Sequence, residues 1–99
     1  MNIKDLKNNA NHVVICGKLA KRYFNIDNQE KKYSKIIIEN SKRVKNKIII
    51  TSIKCYLYNK PYKQISSDEI RLNDYVKVIG ELQNRDNNTI IFVHKINKI

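Results

Sequence analysis

Tryptophan is absent from this 99-residue chain, glycine occurs twice and proline once. Its turns must therefore be built from Asn, Asp, Ser and Lys, and no glycine-rich phosphate loop can be drawn. The two cysteines, Cys16 and Cys55, stand far apart in apolar runs. That placing suits buried, reduced thiols and offers no metal-ligand spacing. His12 and His94 are equally isolated, and no paired carboxylates or activated nucleophile accompany them. Neither an enzymatic reaction nor a metal or cofactor is expected. No run approaches the ~18 apolar residues of a membrane span. The opening MNIKDLKNNANH has no apolar stretch of signal-peptide length, so a cytoplasmic location is expected.

Acidic residues are also scarce. Nine Asp and Glu face 20 Lys and Arg, a formal charge of +11. Self-repulsion at that charge disfavours the compact state, and a polyanion bound to the surface relieves it. Nucleic acid, rather than a membrane, is the expected partner.

What the chain does have is β-branched residues in short alternating runs. His12–Phe24 reads as a first strand, followed by turn residues over NIDNQEKK, Asn25–Lys32. Tyr33–Asn40 and Lys47–Tyr58 are a second and third strand, with SKRVKNK, Ser41–Lys47, as a basic loop between them. Tyr75–Gln83 and Thr89–Ile96 are a fourth and fifth, joined by a tight turn at Arg85–Asn88. NKPYKQISSDEIRLND, between strands three and four, breaks the alternation. Pro61 there suits the first turn of a short helix with Tyr62, Ile65 and Ile70 facing inward. Ser66 and Glu69, at capping-box spacing, offer a later start. Residues 1–11 form a polar lead-in and residues 12–99 a single domain. The resulting fold class is all-β with one short helix. Its order, β-β-β-α-β-β, is that of a five-stranded OB-fold, a Greek-key barrel whose face binds oligonucleotides.

Both glycines fall mid-strand in matching contexts, VVICGKL (Val13–Leu19) and VKVIGEL (Val76–Leu82). A small barrel coils its strands sharply to close, and does so at bulges or where no Cβ obstructs the bend. Gly17 and Gly80 are expected at such points.

NHVVICGKL, Asn11–Leu19, resembles the opening of bacterial single-stranded-DNA-binding proteins. RLNDYVKVIGEL, Arg71–Leu82, is similar to that family's approach to strand four, with Asn73 in place of a turn glycine. The resemblance runs from about Asn11 to Ile96. The hairpin between strands four and five is short, and the chain stops at HKINKI, without the family's acidic, Phe-ending tail. It therefore points to a compact, tailless relative of the PriB type, or one serving a plasmid, phage or other mobile element.

Single-strand binding needs stacking surfaces and a cationic groove. Alternation along strand three puts Ile49, Thr51, Ile53, Cys55 and Leu57 on one face and Ser52, Lys54, Tyr56 and Tyr58 on the other. Tyr56 lies near the family's strand-three stacking aromatic and ranks first, with Tyr58 and Lys54 beside it. Tyr33 and Lys35 share a face of strand two, and Tyr75 and Lys77 one of strand four. Tyr23 and Phe24 close strand one, one of them to stack on a base while its neighbour points into the core, and Phe92 and Tyr62 read as core. Lys42, Arg43, Lys45 and Lys47 sit where the family's second-to-third-strand loop meets DNA. Lys18, Lys21, Arg22, Lys31 and Lys32 form a second basic cluster. The implied function is sequence-tolerant binding of single-stranded DNA in replication or recombination, by a homo-oligomer. RNA binding, or an adaptor role toward a helicase, polymerase or primase, is the alternative.

Overall fold

In the computed structural model, which describes residues 11–99, the strands form a closed barrel in the order β1-β2-β3-β5-β4. The elements are β1 (Val13–Ile26), β2 (Lys32–Val44), β3 (Lys47–Leu57), α1 (Asn59–Ser66), β4 (Tyr75–Arg85) and β5 (Asn88–Lys98). This is the expected OB-fold. The polar lead-in read over residues 1–11 lies, up to residue 10, outside the described residues.

Period-two alternation builds the core. Ile36 and Ile38 of β2, Cys55 and Leu57 of β3, Val76 and Val78 of β4, and Ile91 and Val93 of β5 are all buried in one cluster. Ile65 of α1, and Ile70 just beyond it, close one end of the barrel. Ser34 is the one polar side chain buried among the described residues, and its hydroxyl donates to the Tyr23 carbonyl at 2.9 Å. Burial in the same cluster pushes the Cys55 thiol up to about 12. Cys16, in contrast, is exposed on β1 and lies opposite Lys77, which overturns the expectation that both thiols are buried.

Neither glycine adopts a left-handed conformation, so close approach between strands explains both. A Cβ on Gly17 would lie 2.5 Å from the Glu39 carbonyl oxygen and 2.7 Å from Ile38 Cγ2. One on Gly80 would collide with the Phe92 carbonyl oxygen. The register slips in both neighbourhoods, between Leu19 and Lys21 against β2 and between Ile79 and Gly80 against β5. At these points the strands bend to close the barrel.

The turns follow side-chain chemistry. Asp86 and Asn87 both have positive φ, 51° and 66°, the signature of a two-residue type I′ hairpin, so β4 and β5 extend further than expected. Asn73 takes φ 74°, the left-handed geometry the sequence implied, and its N–H donates to the Leu19 carbonyl at 2.8 Å. The capping box does not form. α1 ends at Ser66, whose hydroxyl turns back to the Lys63 carbonyl at 3.4 Å.

The largest departure concerns SKRVKNK. It is no loop: β2 runs to Val44 and β3 restarts at Lys47, leaving a two-residue turn at Lys45–Asn46. Ser41–Val44 and Lys47–Ile50 pair in register as a two-stranded ribbon that carries the sheet beyond the barrel, exposed throughout.

Candidate nucleic-acid interface

Residues directly opposite one another in a ladder share a face. Tyr23 pairs with Lys35, Lys35 with Tyr56, Tyr56 with Phe92 and Phe92 with Glu81. One transverse row therefore crosses the outside of β1, β2, β3, β5 and β4. Above it Asn25 faces Tyr33; below it Lys21 faces Ile37, which faces Lys54. Tyr58 follows the last residue of β3, in extended conformation, and precedes the first turn of α1.

Four rings assemble on this face. Tyr33 stacks on Tyr56 at 5.6 Å and on Tyr58 at 5.1 Å, with interplanar angles of 17° and 14°. Tyr58 stacks on Phe92 at 5.9 Å, and His94 meets the Phe92 ring edge-on at 5.7 Å. All four rings are half-buried. The Arg85 guanidinium lies 4.9 Å from the Tyr56 ring centre and 5.9 Å from that of Phe92. Lys35 Nζ stands 5.5 Å from the Tyr23 ring centre. Arg85 is held on this face by Gln83, which accepts from it at 3.5 Å and donates to Glu81 at 2.7 Å. A cluster of near-parallel rings with a guanidinium over one of them and lysines beside it offers planar groups to bases and positive charge to phosphates.

Six of the residues singled out in the sequence converge here: Tyr23, Tyr33, Lys35, Lys54, Tyr56 and Tyr58. Lys18 shares the face further along β1, opposite Glu39. The ribbon cations divide between its two faces. Arg43, opposite Ile48, lies on the Tyr56 side, Lys42 and Lys47 on the other, and Lys45 in the turn. Lys31 and Lys32 sit at the opposite end of β2 from that turn, away from the ribbon cations. Arg22 turns away from the row: it pairs with Asp68 at 2.8 Å and donates to the Ile65 carbonyl at 3.5 Å, tying β1 to the end of α1. Lys77 lies on the outer face of β4 between Cys16 and Asn97, outside the aromatic group.

Phe92 was expected in the core and is instead a member of the ring cluster. Its neighbours Ile91 and Val93 are both buried, so alternation turns Phe92 outward. The sequence pattern places Arg85 only in the turn. The two-residue turn keeps it in β4 at the same parity as Glu81 and Gln83, and this brings it to Phe92.

No family model and no curated protein sequence matches the chain. Solved structures do. PriB from Ralstonia solanacearum superposes with a TM-score of 0.72 at 12% identity, covering 89% of this chain and 96% of that one. A small single-stranded DNA-binding protein from Streptomyces coelicolor gives 0.74 at 14%, covering 89% and 91%. The N-terminal domain of PriB from Thermoanaerobacter tencongensis, described as dimeric, gives 0.65 at 17%, covering 91% and 97%. At these identities the likeness is one of fold, and that fold is the OB-fold of the single-stranded-DNA-binding and PriB proteins.

Proposed function

We propose that the outer face of β1, β2, β3 and β5 binds single-stranded DNA without reading its sequence, in a non-catalytic role in replication or recombination. The observation that carries this reading is the cluster of Tyr33, Tyr56, Tyr58 and Phe92 with Arg85 against it and Lys35 and Lys54 in the adjoining positions. Half-buried parallel rings are held by their neighbours and lose little freedom when a base stacks on them. The guanidinium over Tyr56 provides a second planar surface and carries charge toward the sugar-phosphate backbone. Lys21, Lys35, Lys54 and Arg43 share the face and supply counter-charge along it. The names of the structural neighbours, which include single-stranded DNA-binding proteins, support the same choice.

One barrel offers a short path for a strand, and a homo-oligomer lengthens it; static light scattering reads the stoichiometry. The chain has six tyrosines and no tryptophan, so ring stacking is followed by quenching of tyrosine emission. Titration with oligo-dT, oligo-rU and duplex at two salt concentrations tests the assignment. Salt-sensitive, quenching binding that favours oligo-dT is expected. Equal affinity for duplex would overturn it, and preference for oligo-rU would reassign the face to RNA.

A further inference from the structure

β3 is hydrogen-bonded to β2 along its whole length, yet on its other side it meets β5 only through Cys55–Ile91 and Tyr56–Phe92. From Lys47 to Lys54 that second edge has no strand partner among the described residues. Its sequence is KIIITSIK, and Ile48, Ile49 and Ile50 are 64%, 50% and 61% exposed. Soluble proteins ordinarily shorten, twist or cover an apolar edge of this kind. Where β3 and β5 part, a cavity of about 420 Å³ opens beside the edge, walled by Ile15, Ile53, Leu82 and Ile90 and rimmed by Ser52 and Thr89.

We propose that this edge receives an extended segment of a partner protein with alternating acidic and apolar side chains. The segment adds to β3 as a further strand and lodges one apolar side chain in the cavity. A free strand edge presents N–H and C=O groups in alternation, which a peptide strand matches. A sugar-phosphate backbone offers acceptors alone and leaves the carbonyls unpaired. Between Asn40 and Ser67 the chain has seven Lys and Arg and no Asp or Glu, which favours acidic side chains on the incoming strand. The same charge disfavours a second copy, which would set these cations against their own kind.

The test titrates the full chain with a short labelled peptide of alternating Glu and Val, read by fluorescence anisotropy. One control has the same composition in two blocks; another carries Lys for Glu. Only the alternating acidic peptide is expected to bind, more weakly at high salt, and to slow amide exchange over residues 48–54. Ile48→Thr combined with Ile50→Thr keeps β-branching and removes apolar surface, and Leu82→Ser opens the cavity wall. Each variant is expected to weaken the peptide about tenfold. Oligo-dT affinity, measured on the same samples, separates this site from the aromatic face, because peptide binding by a chain that fails to bind DNA still supports the edge. Equal binding of the blocked peptide overturns the proposal. So does displacement of the peptide by oligo-dT with identical amide protection, which assigns the edge to nucleic acid. Protection of residues 48–54 in a dimer without peptide assigns it to a second copy. Should a variant fail to fold, the exchange pattern of the unaltered chain decides.

Discussion

Gly17 and Gly80 stand where the backbone of a neighbouring strand occupies the space a Cβ needs. Gly17→Ala and Gly80→Ala are each expected to cost ~1–3 kcal/mol, the usual range for overpacking, since a backbone carbonyl oxygen that no side-chain rotation can move stands in the way of each, and Gly80 is the worse because its Cβ would come closer to that oxygen. Urea denaturation of both variants checks the order. Tyr56 carries the proposed stacking, and Tyr56→Ala should lose ~1–3 kcal/mol of single-strand affinity while the far-ultraviolet spectrum stays unchanged. A folded variant with full affinity would remove Tyr56 from the site. The thiols divide cleanly. With Cys55 raised to about 12 by burial, roughly one thiol in ten thousand is ionised near pH 8, and none is accessible. Ellman's reagent should therefore modify one thiol, Cys16, in the native chain and both in denaturant.

Among the elements, the β2–β3 ribbon converts a patch of charge into two faces. Because alternation places Arg43 with Tyr56 and puts Lys42 and Lys47 behind, Arg43→Gln should reduce the salt slope of DNA binding by ~0.7, one phosphate's share for a single strand. Lys42→Gln should change it less; equal slopes would show that the ribbon does not lie on the path. The same ribbon shows where the sequence was readable. Five strands and a helix between the third and fourth followed from alternating Ile and Val and from Pro61, because burial enforces that pattern. Strand ends did not follow, since SKRVKNK pairs through its backbone while every side chain stands in water, and hydrogen bonding leaves no mark on side-chain choice. Phe92 reads as core for a related reason: on a strand as apolar as TIIFV, composition suggests core, and only parity with Ile91 and Val93 turns the ring outward. Arg22 could not be placed because its partner, Asp68, is 46 residues away.

At the scale of the molecule, a charge of +11 meets two carboxylates that pin turns at separate corners. Asp27 accepts the N–H groups of Lys31 and Gln29 at 2.9 Å, and Asp74 accepts that of Arg71 at 2.9 Å with Lys98 nearby at 3.5 Å. The Lys31 hydrogen bond, first, holds Asp27 below the ordinary 3.8, and the Arg71 hydrogen bond does the same for Asp74. A carboxyl with a lowered folded pKa contributes stability that is complete above the ordinary value and is lost as pH falls through 3.8 and below. Protonation also raises the net positive charge, which adds self-repulsion in the same direction. Thermal midpoints should drop steeply below about pH 4, recover in part on adding salt, and drop less steeply in Asp74→Asn, which begins from a lower midpoint.

The barrel is continuous along four of its junctions and narrow at the fifth, where two residue pairs join β3 to β5. That junction is a seam, and Tyr56 and Phe92 are half of its stitches. A strand of DNA laid over both rings would hold the seam shut, so occupancy and closure become one equilibrium viewed from two sides. Ligand would raise the melting temperature by mass action, and amides at the seam would exchange more slowly than those of β1 and β2 on saturation. Mutations that loosen the seam far from any ring would in turn weaken binding, with no contact to the nucleic acid removed.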